Sequence, residues 1–238
     1  LETKVLAIGE GPMLLSLLSS LAESGLAQID YLISDSSKTN KERVAALISY
    51  AKEKNSEFTS NEIPYVSFDM EGLGKFIRNY DAVLYVSGGK IEELRKIHDI
   101  SRHEKKLFAP AIFLRDAGFA GPIISPESEA SWESAWRSVH RTAVGERKDS
   151  TPPSQVAGAL LANILVFEFL KVTAGVTEPK DRNKFYLLKP ETLEGSWHHF
   201  VMHPLMEGRS EAILIDSPES LLGQPSEEKQ REKCFLFF

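Results

Sequence analysis

Apolar positions in the first two-thirds of the chain follow two alternating periods. Short, nearly continuous apolar runs occupy 4–9 (KVLAIG), 29–34 (IDYLIS), 64–69 (PYVSFD), 81–87 (DAVLYVS) and 106–114 (KLFAPAIFL), as in strands covered on both faces. Between them, 12–24, 40–54, 71–79 and 90–104 carry helical spacing. In KERVAALISYAKEKN, Val44, Leu47, Ile48 and Ala51 share one side with charges opposite. This alternation predicts βαβ units in an α/β, Rossmann-like fold, a mostly parallel sheet with helices on both faces.

After FAGPIISPES the pattern changes. SEASWESAWRSVHRTA reads as a helix with Trp132 and Trp136 one turn apart, a pair suited to core or interface packing. GERKDSTPPS (145–154) is polar with two prolines and reads as a loop or crossover. QVAGALLANILVFEFLKVTAG (155–175) predicts a helix that is apolar nearly all round, hence buried or at a subunit interface, with Gly175 as its stop. Strand-like NKFYLLKP and GSWHHFVMHP follow, then EAILIDSP and the charged QPSEEKQREK. The expected division is a Rossmann-type domain over 1–205 and a C-terminal extension over 206–238. Leu1 at the start and CFLFF at the end suggest a fragment of a longer protein.

Composition narrows the function classes. At 238 residues and 42% apolar content the chain can bury a substantial core. With 28 Lys and Arg against 34 Asp and Glu it offers no broad field for nucleic acid or an anionic membrane, although Lys105 and Lys106 form a local basic spot. The single cysteine, Cys234, excludes an internal disulfide and a cysteine-rich zinc site and suits a reducing cytoplasm. No uninterrupted apolar run reaches about 18 residues, so no membrane span is expected, and no signal peptide is expected either.

The candidate chemistry lies in the turn GEGPML. A nucleotide phosphate binds where a parallel strand ends and a helix begins, because free backbone N–H groups and the positive helix end face the anion. Gly9 and Gly11 fill the first two places of the dinucleotide fingerprint, but Leu14 stands at the third and Pro12 removes a donor. Gly-x-Gly is equally a tight strand-to-helix turn. Asp35, at the end of the second strand, and Asp30 are candidates for ribose hydroxyls, and Asp35 equally suits a turn or a helix cap. Gly88 and Gly89 in VSGGK permit close approach of a ligand or simply turn the chain. His198, His199 and His203 lack a carboxylate or cysteine at ligand spacing, so packed or solvated histidines outweigh a metal site. No nucleophile elbow, Walker lysine motif or His-Glu-x-x-His occurs.

In this order, strand–GEG–helix, the acidic second strand and DAVLYVSGGKIEELRKIHDISRHEKKLFAPAIFLRDAGFAGPIISP resemble the ThiF-like, ubiquitin-activating-enzyme superfamily over roughly residues 4–205. The resemblance extends through the crossover loop, the long apolar helix and closing strands ending in HPL, and implies antiparallel C-terminal strands. Active members adenylate a carboxyl terminus using ATP and magnesium. Here the long Asn- and Arg-containing segment that reaches the ATP phosphates is reduced to Asn40, Lys41 and Arg43 in SDSSKTNKERVAAL, and glycines of VSGGK replace the magnesium aspartate. The zinc cysteines are absent from the matching region. Gly9, Gly11, Asp35, Asn40, Lys41, Arg43, Gly88 and Gly89 therefore read as a vestigial nucleotide site, with no catalytic residue and no resident metal or cofactor.

The sequence is most similar to thiazole-containing bacteriocin maturation proteins. That similarity implies a non-adenylating scaffold in maturation of a thiazole/oxazole-modified ribosomal peptide, a cytoplasmic homodimer whose partners are a precursor peptide and a YcaO-type cyclodehydratase. The alternatives are an active ATP-dependent adenylyltransferase in which Gly9, Gly11, Asp35, Lys41 and Arg43 bind ATP with magnesium, and an NAD-dependent oxidoreductase using the turn and Asp35.

Overall fold

A computed structural model describes residues 2–114, 117–127, 132, 134, 135, 155–176 and 183–200. All of these belong to the unit Leu1–Met202. The elements run β1 (Lys4–Glu10), α1 (Gly11–Glu23), β2 (Gln28–Asp35), α2 (Lys41–Lys54), β3 (Glu62–Ile63), α3 (Leu73–Ile77), β4 (Ala82–Ser87), α4 (Ile91–His103), β5 (Leu107–Leu114), β6 (Ala117–Ala120), α5 (Gln155–Thr173), β7 (Lys184–Leu188) and β8 (Gly195–His199). The strand order is β3-β2-β1-β4-β5-β6-β7-β8. The first five strands pair in parallel and β5 to β8 pair antiparallel, as the resemblance implies. β1 lies between β2 and β4, so connections leave it in opposite directions and a crevice is expected outside the carboxyl ends of β1 and β4.

The apolar strand runs are continuous because both faces are covered. One core joins the sheet to α1, α2 and α5 through residues such as Leu14, Leu17, Ile29, Leu161 and Phe169. The other joins it to α3 and α4 through Leu6, Ile77, Tyr85, Leu94 and Phe108, and includes Trp132 and Ala135. Gly158 of α5 is where that helix meets α1, since a Cβ there sits 2.9 Å from Met13 Cγ. Met13 thus packs between the two helices.

Two expectations change. The third strand is not 64–69 but the two residues Glu62–Ile63, because Pro64 offers no N–H to continue the ladder and the following residues are drawn into a turn. In that turn Leu73 N donates to Ser67 O at 3.1 Å and Gly72 N to the Asp69 carboxylate at 2.7 Å, and the helix expected over 71–79 shrinks to Leu73–Ile77. As the sequence predicts, α5 packs into the core, although by length and composition alone it could also cross a membrane. It buries Ala157, Gly158, Leu161, Ala162, Leu165, Val166 and Phe169. Its one buried carboxylate, Glu168, is paired with Lys171 at 2.5 Å and Lys184 at 3.4 Å. Gly175, with φ 70°, ends the helix as the sequence predicts, Val176 N donating to Lys171 O. Trp136, the loop 145–154, His203, Cys234 and EAILIDSP with the tail beyond it lie outside the described residues, as does the boundary expected at 205/206.

Candidate functional site

The two glycines of the opening turn have separate local causes. A Cβ on Gly9 meets Val86 Cγ2 and the Val86 carbonyl oxygen, each at 2.5 Å, so glycine is required where β1 lies against β4. Gly11 has φ 62°, which starts α1 in a conformation that side chains resist. Pro12 then fits the first turn, where its missing N–H costs least. Both glycines are explained without a ligand.

The donors and charges that a phosphate needs are already engaged. Gly11 N–H donates to the Thr39 hydroxyl at 2.8 Å, and that hydroxyl donates to Asp35 O at 2.8 Å. A bulge between Gly9 and Glu10 sets Glu10 opposite Asp35. The Glu10 carboxylate is 5% exposed and lies 2.7 Å from Lys90 Nζ and 3.5 Å from Lys38 Nζ. Lys90 also reaches Glu93 at 3.1 Å and Asp35 at 3.9 Å, and Lys38 reaches Asp35 at 3.6 Å. Tyr85 OH donates to Lys90 O at 3.1 Å and approaches Glu93 at 3.4 Å. Three carboxylates therefore meet two ammonium groups across the turns after β1, β2 and β4.

Burial works to lower the Lys90 pKa, but the hydrogen bonds it donates to Glu10 and Glu93, with their charges, outweigh it and hold the ammonium above the ordinary lysine value. Asp35 is held below the ordinary aspartate value by the Ser37 hydroxyl, which outweighs the opposing effect of burial, with the Ser37 amide, Lys90 and Lys38 adding to it. Its Oδ1 accepts from Ser37 N at 3.0 Å and Ser37 Oγ at 2.6 Å, so its side chain closes a turn. Burial pushes the Tyr85 hydroxyl far above its ordinary value. The cluster is polar, internally paired and net negative, and an anion entering it meets a desolvated carboxylate.

The remaining sequence candidates separate. Asn40 caps α2, accepting from Arg43 N at 3.0 Å, and Lys41 pairs with Glu62 at 2.9 Å toward the β3 edge. Arg43 is exposed on α2. Gly88 faces open space, and Gly89, with φ 132°, turns the chain so that Lys90 N donates to Ser87 Oγ at 3.1 Å. Asp30 is buried and accepts from Tyr80 OH at 2.8 Å and Asn61 N at 2.8 Å, joining three segments of backbone. His198 stacks on Phe185 at 5.6 Å and His199 is exposed, and no cluster of metal-ligating side chains exists among the described residues. Glu10, Lys38, Thr39, Lys90 and Glu93 complete the cluster and match no motif in the sequence. The signal present there is the acid inside GEG and the lysine directly after GG.

No family model and no curated protein sequence matches the chain. Its fold matches solved structures. The microcin C7 biosynthetic enzyme MccB in complex with N-formylated MccA aligns with TM-score 0.64 and 14% identity over 85% of this chain and 66% of that one. E. coli MccB with AMPCPP and MccA gives 0.64 and 16% over 85% and 65%, and PaaA gives 0.60 and 15% over 82% and 72%. The chain thus spans less than two thirds of the length of MccB. Its fold is the ThiF-like, ubiquitin-activating-enzyme-like one.

Proposed function

We propose that this chain is a non-adenylating ThiF-like scaffold in the maturation of a ribosomal peptide, with no resident ATP, magnesium or NAD. The observation that carries the reading is the buried Glu10 carboxylate paired with Lys90 at the turn where such folds hold a phosphate. Adenylation must neutralise a triphosphate and its departing pyrophosphate. Here the nearest cations are already neutralised by three carboxylates, and the Gly11 N–H is taken by Thr39. Asp35, engaged by Ser37 and two lysines, is equally poorly placed to receive a ribose.

MccB, whose fold this chain shares, is a biosynthetic enzyme of the peptide microcin C7 and binds MccA. For this chain we assign the thiazole/oxazole-modified class of peptide, with a precursor peptide and a YcaO-type cyclodehydratase as its cytoplasmic partners. The outer side of α5 supports pairing with a second copy, since Val156 and Phe167 are exposed there beside half-buried Leu160 and Leu170.

Purified protein is expected to retain a precursor peptide or its cyclodehydratase in a pull-down with the products of neighbouring genes, and to sediment as a dimer. ATP–pyrophosphate exchange measured with that peptide is expected to stay at the buffer background. Sustained exchange overturns the scaffold reading in favour of an adenylyltransferase, and bound NAD released on denaturation favours the oxidoreductase.

A further inference from the structure

The sheet ends in β3 on one side and β8 on the other. β3 is guarded, being two residues long, followed by Pro64 and flanked by the Lys41–Glu62 ion pair of 2.9 Å. β8 carries none of these devices. Its five residues, Gly195–His199, pair with β7 without a bulge and include no proline or lysine. The hydrogen bonds at the two ends of that ladder fix which backbone groups it leaves over. Lys189 N donates to Glu194 O at 2.8 Å and Phe200 N to Asn183 O at 3.1 Å. Every second residue of an antiparallel pair bonds to its partner strand, so with this register Ser196 and His198 face β7. Gly195, Trp197 and His199 therefore turn their N–H and C=O groups away from the sheet. All three are exposed, and among the described residues those groups have no partner.

The side chains beside this edge differ between its two faces. On one, Trp197 is 40% exposed and meets the Tyr186 ring edge to face at 5.1 Å, and Tyr186 in turn occupies the space that a Cβ on Gly195 would take. Lys184 Nζ lies 4.6 Å from the Trp197 ring centroid and is held by Glu168 at 3.4 Å, so it does not project past the edge as a guarding charge. On the other face Ser196 and His198 bond to each other at 2.8 Å. An added strand would thus meet aromatic rings on one face and a polar pair on the other. Two copies joined along these five residues fall far short of the roughly 20–30 residues a side of a stable interface. The same length suits a short extended peptide, whose main chain supplies the bonds while alternate side chains supply selectivity.

We propose that β8 takes an extended peptide segment as a further antiparallel strand, bonded to the backbone of Gly195, Trp197 and His199, with an apolar peptide side chain on the Trp197 ring. Its alternate side chains, facing Ser196 and His198, are polar. The assignment of that segment to a precursor peptide rests on the scaffold reading above; the strand addition itself does not.

The test is amide hydrogen exchange of the whole, ¹⁵N-labelled chain read by NMR, with a short acetylated and amidated peptide of alternating threonine and valine as the probe. In the free chain the Trp197 and His199 amides are expected to exchange fast and those of Ser196 and His198 slowly. Saturating peptide is expected to slow Trp197 and His199 about tenfold or more, and its fully N-methylated form to leave them fast. His199→Pro, which removes an outward N–H and no bond to β7, is expected to abolish the protection, and Trp197→Ser to weaken binding about fivefold. Slow exchange at Trp197 and His199 in the free chain shows an edge already filled and overturns the proposal. So do absence of protection by the peptide, equal protection by its N-methylated form, and undiminished binding by both variants. Dissociation of a dimer by His199→Pro assigns the edge to a second copy and overturns it as well. None of these readouts involves ATP or a neighbouring gene product, so sustained ATP–pyrophosphate exchange overturns the scaffold reading and leaves the strand addition standing.

Discussion

Helix α1 is held in two different ways along its length. At its start, the turn from β1 joins a junction of charged groups in which Glu10, Asp35 and Glu93 share Lys38 and Lys90. Further along, its buried face packs on α5 through Met13, Gly158, Leu17 and Leu161, all but excluded from water. The packed layer stabilises in proportion to the apolar area it removes from water. The charged junction adds little net stability, because desolvating Glu10 offsets most of what its ion pairs return, but it fixes which loops meet. The difference teaches that this fold is held by its helical layer, while the charged groups at the mouth of its sheet are taken up in pairing with one another.

The most severe break is expected on the packed side. Leu161→Ala leaves a cavity in a fully buried layer and is expected to cost about 3 kcal/mol in denaturant unfolding, with no change in the loops at the sheet mouth. On the charged side, Lys90→Met strands the buried Glu10 carboxylate and is expected to cost about 2 kcal/mol, reduced from fully buried cases because Lys90 is 27% exposed. Adding Glu10→Gln to that variant is expected to recover more than half of the loss. An additive double variant contradicts the pairing. Lys38→Ala, at a 58% exposed lysine, is expected to stay within about 0.5 kcal/mol of the parent.

The smallest effect is the pH dependence of the melting temperature. Asp35 has a folded pKa below the ordinary 3.8, so its contribution is present above that value and is lost as pH falls through the lower folded one. Lys90 has a folded pKa above the ordinary 10.5, so its contribution is present below that value and is lost as pH rises through the higher folded one. A plateau between these limits is expected, and Lys90→Met is expected to flatten the alkaline limb. An unchanged alkaline limb in that variant assigns the loss to another group.

Much of the sheet was legible because its signal is local. β1, β2, β4 and β5 lie within one or two residues of the apolar runs that predict them, and α2, α4 and α5 follow helical spacing. β3 departs from its apolar run because PYVSFD carries strand-forming side chains, while the decisive group, the missing N–H of Pro64, removes the ladder. The site was less legible for a tertiary reason. Spacing marks Gly9, Gly11, Gly88 and Gly89, but says nothing of where the Glu10 side chain points. Its burial depends on a bulge against β2 and on a lysine 80 positions along the chain. Asn40, Lys41 and Arg43 sit together in sequence, yet the fold sends Asn40 to cap α2 and Lys41 to the β3 edge.

The most direct test of whether the paired charges leave no nucleotide site is calorimetric titration of the whole chain with ATP and magnesium at neutral pH and low salt, where charge effects are least screened. The account predicts no saturable heat up to millimolar nucleotide. One-to-one binding with a micromolar Kd contradicts it.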